Sequence, residues 1–408
     1  MRLDLIQTVA FAGIVLFLGY GIRRLVPPLA RYNIPAPVIG GLAVAGILTW
    51  ARSAGRTLIE FDTTLQSPLM VAFFTSIGFA ASLRLLRAGG PQVLVFFAAA
   101  TAVGLAQNLL GAGMAVGMGL HPLFGVLTGS VTMMGGPATG LAFAPLFEDA
   151  GVAGATTAAV AAAVAGIVVG GLVGAPIATR LIERDRLRTR HAPRPVETPP
   201  ATEVVEAQLA DAPVRAPAGE DDSSFALLQS VVLVLVAMWL GSFVSGWITS
   251  LGFRLPAYIG AMLVAAVIRN LDDATGRIRI QQRVVDDVGN VALALFIVMA
   301  LMTLKLWEIA SLALPMLVIL AAQVVLVALI CAWPLYRLMG RDYESAVMSG
   351  GFGGFMLGTT ANAMANMGSL VERYGPAPRA FLVVPMVGAF FIDFSNALMI
   401  TVFVNLLK

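Results

Sequence analysis

The chain of 408 residues has few charges, one cysteine and two histidines. Charged residues make up 12% of it, against about 25% in soluble domains, while 58% of its residues are hydrophobic. A soluble core of this size cannot bury so much apolar surface. The single cysteine, Cys331, excludes an internal disulfide. His121 and His191 both lie near predicted loops, which argues against a histidine-ligated metal site. These scarcities predict an integral membrane protein without a transition-metal centre.

The sequence also has none of the motifs by which enzymes and ATP-driven pumps are recognised. No set of nucleophile, base and orienting side chain stands out. The run Gly351–Gly354 is rich in glycine, but no Gly-Lys-Ser/Thr follows it, so it is not a phosphate-binding loop. We therefore predict a protein that is not an enzyme and that binds no cofactor.

Ten stretches are long and apolar enough to cross a membrane, which takes about 20 mostly apolar residues. The predicted spans are Leu5–Gly21, Pro35–Ala51, Pro68–Leu86, Val93–Met118, Ala153–Ile182, Phe225–Ile248, Leu255–Ile268, Val291–Leu312, Leu314–Leu338 and Arg379–Leu407. Two further apolar regions, Leu123–Phe147 and Ala346–Leu370, are rich in Gly, Thr and Asn. Gly-rich segments make poor continuous helices, so we expect broken or re-entrant segments there, buried in protein or facing a water-filled cavity.

A polar segment, residues 183–224, divides the chain into two halves. It is rich in Pro and poor in aromatic residues, which is typical of a disordered linker. We therefore expect a membrane repeat over 1–182, a linker over 183–224 and a second membrane repeat over 225–408. The halves resemble each other at an offset of 221 residues, where Ile34-Pro35-Ala36 matches Leu255-Pro256-Ala257, Ser82–Leu85 matches Thr303–Leu306, and Thr128-Gly129 matches Ser349-Gly350.

The orientation of the halves follows from the number of spans and the distribution of charge. Five spans in each half is an odd number, so the second half enters the membrane from the opposite side. With the linker in the cytoplasm and both termini outside, 20 of the 26 basic residues lie on the cytoplasmic side. We therefore predict an all-α integral membrane protein of two inverted five-helix repeats, each with a Gly-rich broken segment. Arg84 and Lys305 occupy equivalent positions and are interpreted as interfacial anchors.

Polar groups inside the apolar segments are the candidates for function. Broken helices expose N–H groups that can hold a carboxylate and carbonyl groups that can hold Na⁺. Candidate substrate-binding residues are Gly135, Gly136, Thr139, Gly140, Gly351, Gly354, Gly358, Thr359, Thr360 and Asn362. Candidate ion-binding residues, which offer oxygen ligands to a hard cation, are Ser130, Thr132, Asn366, Asp393, Asn396, Gln107 and Asn108. The alternative interpretation is close packing of small residues and hydrogen bonding between helices.

Asp393 is the most informative single residue, because it lies in the middle of the last predicted span. A carboxylate there is costly unless it is paired or solvated, so a functional role is the default hypothesis. It could coordinate Na⁺, take up a proton, or form a structural hydrogen bond to another helix.

Several of these stretches resemble the bacterial sodium/glutamate symporter family. The resemblance covers nearly the whole chain outside the linker and is carried by Gly289–Phe296, Met299–Met316, Phe381–Asp393, Ile34–Gly41 and Gln107-Asn108. It implies two inverted five-span domains in the bacterial inner membrane, a cytoplasmic linker and a translocation site formed by two Gly-rich re-entrant loops. It also implies Na⁺-coupled uptake of glutamate and a homodimer.

The two Gly-rich segments depart from the family pattern at specific positions. In the first segment, Met134, Pro137 and Ala138 stand where the family has Ser, His and Gly. In the second, Phe352 and Gly353 replace His and Cys. Both loop histidines are therefore absent, which leaves the substrate less constrained than the fold and the coupling ion.

Three functions remain open at this point. The first is a Na⁺-coupled symporter for glutamate or a related small carboxylate, working by alternating access at the two Gly-rich loops. The second is a proton-coupled carrier of a different small solute, with Asp393 as the proton site. The third is a channel, which the unlike sequences of the two loops disfavour.

Overall fold

The computed structural model describes residues 2–54, 59–88, 90–187, 221–251, 256–304 and 312–407. Within these ranges the chain is almost entirely helical, which confirms the predicted all-α class. Two two-residue strands, β1 (Arg2–Leu3) and β2 (Glu60–Phe61), pair in parallel. Most of the predicted linker (188–220) and Lys305 lie outside the described residues.

Seventeen helices are found in the described ranges. In chain order they are α1 (Leu5–Leu25), α2 (Pro27–Arg31), α3 (Ala36–Ser53), α4 (Gln66–Ala80), α5 (Leu83–Ala88), α6 (Gly90–Gly117), α7 (Pro122–Val126), α8 (Gly136–Asp149), α9 (Ala155–Arg184), α10 (Asp222–Ser250), α11 (Ala257–Thr275), α12 (Gln282–Met302), α13 (Ala313–Leu338), α14 (Tyr343–Leu357), α15 (Thr360–Tyr374), α16 (Pro378–Phe390) and α17 (Ile392–Leu406).

Seven of the described helices are long and apolar enough to cross a membrane, namely α1, α3, α6, α9, α10, α12 and α13. The pair α16 and α17 would make an eighth span with a bend of 41°. Helix α12 begins nine residues before the predicted span Val291–Leu312 and ends at Met302. The other two predicted spans also differ from expectation. Helix α4 ends at Ala80 after 15 residues, where Pro68–Leu86 was predicted as one span. Helix α11 extends past Ile268 into a polar stretch with Asp272 and Asp273, so the whole helix is less apolar than its first residues indicate.

The described residues form two compact units, and each unit takes residues from both halves of the sequence. The first unit combines the described parts of 1–82 and 210–311, and the second combines those of 83–209 and 312–408. In the first unit α1 packs on α3, α10 packs on α11, and both α11 and α12 pack on α4. Helix α1 begins at a capping box, in which the Asp4 side chain accepts from the Gln7 N–H and the Gln7 side chain accepts from the Asp4 N–H.

An ionic network closes the first unit where α4 ends. Arg269 is 5% exposed, and its Nε lies 3.1 Å from Asp273 Oδ1. Ser82 Oγ donates to Asp273 Oδ2, so the last residue of the unit's first segment is tied to α11. The carboxylate of Asp272 accepts three backbone N–H groups, which holds the turn that follows α11. A buried charge is tolerated here because each partner is ionic or hydrogen-bonded.

Helix boundaries repeat at the offset of 221 that relates the two halves of the sequence. Ala36–Ser53 corresponds to Ala257–Thr275, and the start of α7 at Pro122 corresponds to the start of α14 at Tyr343. The long helix α9 corresponds to the bent pair α16 and α17. At these positions the offset in the sequence is therefore accompanied by a similar order of helices.

The core of the second unit contains a row of glycines on α9. A Cβ on Gly166 would lie 2.6 Å from the Leu357 carbonyl oxygen, and one on Gly170 would lie 3.0 Å from the Gly354 carbonyl oxygen. Gly174, one turn further, abuts the Gly350 carbonyl oxygen in the same way. The backbones of α9 and α14 are therefore in contact with no side chain between them, as in small-residue packing of membrane helices. These glycines serve packing inside the unit.

Candidate functional site

The first Gly-rich segment is broken, as its composition predicts. Helix α7 passes into a π-helical turn over Leu127–Val131, in which Gly129 has the non-helical angles φ −96° and ψ −131°. The chain then turns at Met134 and Gly135, and α8 begins at Gly136. Gly136 has φ +66°, a left-handed conformation that disfavours any side chain. The break therefore depends on glycine at this position.

The second Gly-rich segment is also broken, at Gly358. Helix α14 runs without interruption through Gly350–Gly354 and ends at Leu357. The break is at Gly358, with φ −149° and ψ −101°, and at the extended Thr359, after which α15 begins. The glycines of α14 remain helical because they lie against the backbone of α9, where a side chain would not fit.

The two breaks lie side by side in the second unit. A Cβ placed on Gly136 would lie 3.7 Å from Thr359 Cγ2. Each break is followed by the first turn of a helix, α8 or α15, and no side chain caps either turn. First-turn N–H groups have no partner within their own helix, so both helix ends offer donors and a positive dipole. Gly135, Thr359 and Thr360 are partly exposed, which leaves this point accessible.

A third break joins the same region. Helix α16 ends at Phe390, and α17 begins at Ile392. Thr360 Oγ1 donates to the Gly388 carbonyl oxygen at 3.2 Å, which places the end of α16 beside the start of α15. The last predicted span is therefore not one continuous helix, and Asp393 lies in the first turn of α17 rather than in mid-helix.

Asp393 is partly buried, and its carboxylate has no hydrogen-bond or ion-pair partner among the described residues. The neighbouring Ser395 Oγ bonds the Ile392 carbonyl oxygen at 3.1 Å and lies 3.5 Å from Thr101 Oγ1. The structural alternative for Asp393, a hydrogen bond to another helix, therefore finds no partner in the described part of the chain. An accessible carboxylate next to a helix break can bind a cation or a proton.

Four of the predicted ion-binding residues surround the π-helical turn. The Ser130 N–H donates to Asn108 Oδ1 at 2.9 Å, and Ser130 Oγ donates to Asn396 Oδ1 at 2.7 Å. Asn396 Nδ2 returns a bond to the Ser130 carbonyl oxygen at 3.1 Å. Thr132 Oγ1 donates to the Leu127 carbonyl oxygen at 2.7 Å. All four side chains are buried, and the bonds tie α6 and α17 to the irregular turn.

Gln107 forms a second polar group with Gln323, a residue that the sequence analysis did not single out. Gln107 Nε2 donates to the Met356 carbonyl oxygen at 3.1 Å, and Gln323 Nε2 donates to the Gln107 carbonyl oxygen at 2.8 Å. Both side chains are fully buried, and neither Oε1 atom accepts a hydrogen bond in the described part of the protein. Gln323 is isolated in the most hydrophobic span, and the rule that drew attention to Gln107 would have found it.

Asn362 and Asn366 face α9. Asn362 Nδ2 donates to the Ile167 carbonyl oxygen at 2.6 Å, and Asn366 Nδ2 donates to the Gly170 carbonyl oxygen at 2.9 Å. These bonds fix α15 on α9 directly below the break, because Asn362 lies in the first turn of α15. Both residues therefore hold the broken segment in position, and the Asn362 Oδ1 atom accepts no hydrogen bond in the ranges that are described.

The remaining predicted substrate-binding residues line the interior of the unit. Thr139 is 3% exposed, and the Cβ positions of Gly140 and Gly351 approach Ala159 and Met367. Gly354 packs on the backbone of α15. These residues pack inside the unit, next to the two helix breaks.

Two of the positions that depart from the family pattern are apolar and buried. Pro137 stands in the first turn of α8, where its missing N–H removes one donor from the helix end. Phe352 is buried in α14, and its ring lies edge-on to Phe96 with 5.3 Å between centroids. Neither side chain offers a hydrogen-bond donor or acceptor.

Comparison with known proteins identifies relatives along nearly the whole chain. The sequence profile of the sodium/glutamate symporter family matches residues 1–376. The chain is 41% identical over 406 residues to a protein named sodium/glutamate symporter from Escherichia coli (strain K12), covering 99% of this chain and 98% of that protein. It is 37% identical over 400 residues to a protein of the same name from Haemophilus influenzae (strain ATCC 51907 / DSM 11121 / KW20 / Rd), covering 97% and 96%.

Proposed function

The chain belongs to the sodium/glutamate symporter family, and on this premise we propose that it is a Na⁺-coupled symporter of glutamate or a related small anionic amino acid or carboxylate. The relatives are named as transporters and not as enzymes, in agreement with the sequence prediction. The observation that carries the proposal is the meeting of two uncapped helix starts, α8 and α15, at Gly136 and Thr359.

The paired helix starts suit a solute with two carboxylates. The end of a helix carries a partial positive charge of about half an elementary charge, and its free N–H groups point at a bound anion. In this proposal α8 holds one carboxylate and α15 holds the other. Thr359, which is partly exposed, adds a hydroxyl donor beside the solute. This arrangement needs no histidine, so the replacement of both loop histidines by Pro137 and Phe352 leaves it intact.

The coupling Na⁺ is assigned to oxygen atoms near the third break. Asp393 supplies the only formal negative charge in this group, and Na⁺ prefers oxygen ligands of this kind. Ser130, Thr132 and Asn396 supply neutral oxygens from the hydrogen-bonded group around the π-helical turn. The free Oε1 atoms of Gln107 and Gln323 are further buried acceptors without donors in the described residues. Asn108 and Asn366 hold backbone groups in place.

The transport cycle in this proposal is alternating access between the two sides of the inner membrane. Each half of the sequence contributes one Gly-rich break, and the helices that follow the breaks begin at Gly136 and Thr360, an offset of 224 that is close to the 221 relating the two halves. Inverted repeats of this kind let one broken segment face each side of the membrane. The proposal includes the orientation predicted from the arginines, with both termini outside and the 183–224 linker in the cytoplasm, and a homodimer.

Uptake by purified protein in proteoliposomes tests the proposal directly. We expect labelled glutamate to accumulate with an inward Na⁺ gradient and not with a K⁺ gradient. Asp393→Asn should weaken the dependence on Na⁺, while Ser395→Ala, which removes one hydroxyl from the same turn, should keep it. Glutamate uptake that ignores the Na⁺ gradient would refute the proposal.

The second candidate function is proton-coupled transport, and the observation that favours it is that the Asp393 carboxylate has no partner among the residues that the structure describes. A carboxylate at a helix break could carry the coupling proton instead of Na⁺. Uptake driven by a pH gradient in the absence of Na⁺, and abolished in Asp393→Asn, would select this function. Single-channel conductance in a planar bilayer would instead indicate a channel.

A further inference from the structure

Helix α9 carries a second row of residues on a different face from its glycine row. Leu172, Pro176, Arg180 and Arg184 recur at intervals of four, so they line one side of the helix. Leu172 is 52% exposed, and the other three are also exposed. The row therefore runs from apolar to cationic toward the end of the helix, on a surface that the second unit leaves open.

The change from apolar to cationic coincides with the expected edge of the hydrocarbon layer. The first charged residue of α9 is Arg180, after an uninterrupted run from Ala155 to Thr179. At about 1.5 Å per residue, this run is about 37 Å long, against a hydrocarbon core of about 30 Å. Arg180 and Arg184 therefore lie at the level of the lipid headgroups, and Leu172 lies at the level of the acyl chains.

A cavity of about 600 Å³ opens beside this row. Ala175 and Pro176 form its apolar wall, and Arg180, Arg184 and Arg373 line its polar end together with Glu183. Arg373 comes from the end of α15, so the cavity joins the broken segment to α9. All of these residues belong to the second unit.

Arg180 is the one arginine of the cavity without an ionic partner in the described ranges. Arg373 Nη2 lies 3.1 Å from Glu183 Oε1, which also accepts from the Tyr374 hydroxyl at 2.8 Å. Arg184 Nε lies 2.8 Å from Asp185 Oδ1. The polar end of the cavity thus has an excess of positive charge and a guanidinium whose five donors are available.

We propose that this cavity binds the headgroup of an anionic phospholipid, with its phosphate on Arg180 and an acyl chain along Pro176 and Leu172. A membrane lipid is the source that fits, because only a molecule with both an anion and an apolar chain matches the two ends of the row. The bound lipid spans α9 and the end of α15 through Arg373. It therefore stabilises the second unit and shifts the conformational equilibrium of the segment that carries the second helix break.

The test uses the full chain in detergent, titrated with phosphatidylglycerol, phosphatidylcholine or inorganic phosphate while thermal unfolding is followed. We expect phosphatidylglycerol alone to stabilise the protein. Each unit of charge near an anionic headgroup changes affinity about fivefold, so Arg180→Glu should weaken phosphatidylglycerol binding about 25-fold. Because Arg180 is exposed and without a described partner, this variant should fold normally.

Arg24→Glu is the matched control. Arg24 is also exposed, lies in the last turn of the first helix and is predicted on the same side of the membrane, but lines no part of this cavity. It should keep the affinity of the unmodified chain. Equal losses in Arg180→Glu and Arg24→Glu would show that only the general surface charge matters and would overturn the proposal. Equal stabilisation by inorganic phosphate would also overturn it, because the site would then bind a free anion.

Discussion

Replacing Gly166 by Ala should loosen the contact between α9 and α14 and disturb the second helix break. The added Cβ would lie 2.6 Å from the Leu357 carbonyl oxygen and 2.9 Å from Met133 Sδ. The methionine side chain can move, but the carbonyl belongs to the last residue of α14 before the break at Gly358. The backbones must therefore separate by about 0.8 Å to restore an ordinary contact of 3.4 Å.

The free-energy cost of this separation follows from packing and hydrogen bonding. Overpacking a close-packed interface costs about 1–3 kcal/mol. The nearby bond from Asn362 to the Ile167 carbonyl oxygen is strained by the same shift, and bonds of this kind between membrane helices contribute about 0.6 kcal/mol on average. We therefore expect a destabilisation of about 2–3 kcal/mol, together with slower glutamate uptake because the start of α15 moves.

Gly171→Ala is the control on the same helix. No atom lies within 4 Å of a Cβ at this position, so the substitution should be neutral or stabilise the helix by up to about 1 kcal/mol. Thermal unfolding in detergent and uptake in proteoliposomes measure both variants. Equal melting temperatures for the two variants would refute the packing argument, since they add the same methyl group to the same helix.

Three further predictions test the site and its surroundings. Gly136→Ala should fold, because the nearest atom to the added Cβ lies 3.7 Å away. The left-handed φ of +66° disfavours alanine by about 1–2 kcal/mol, so the KM for glutamate uptake should rise about tenfold. An unchanged KM would contradict this prediction. Gln323→Leu should raise the Na⁺ concentration needed for half-maximal uptake while changing stability by only about 1 kcal/mol, as a Na⁺ titration of uptake would show. A hydrogen bond from Arg184 and a second from Tyr336 lower the pKa of Asp185 from 3.8 to about 2. The stabilisation from this ion pair is therefore present above about pH 4 and lost as the pH falls toward 2, and melting temperatures of Asp185→Asn should lack this acid-sensitive component.

The sequence predicts the class and most helices well, because long apolar runs leave few alternatives in a membrane. Its failures concern single positions. The segment predicted to be broken, Ala346–Leu370, does contain a break at Gly358, but its composition does not show that Gly350–Gly354 remain helical because α9 lies against them. Glycine serves both to bend a chain and to admit a neighbouring backbone, and the neighbour that decides between these uses is about 180 residues away in the chain. Composition alone cannot reveal it.

The candidate site shows the same limit for polar residues. The unusual carboxylate Asp393 could be found from hydropathy, but the break that places it in a first helical turn could not. The sequence predicts Gln107 as an ion-binding residue and Asn362 as a substrate-binding residue. In the structure the side-chain nitrogen of each donates to a carbonyl oxygen of a distant helix, and the side-chain oxygen accepts no hydrogen bond from the described residues. Which atom of an amide remains available depends on contacts between helices far apart in sequence.

The glycine row on α9 has a mechanical consequence. Side chains between two helices act as a compliant layer that rotates and yields when one helix is pushed, and α9 and α14 have no such layer at Gly166, Gly170 and Gly174. We therefore expect the two helices to move together as one rigid body. A displacement of Leu357 at the helix break would then be transmitted along α9 to the end where Glu183 pairs with Arg373.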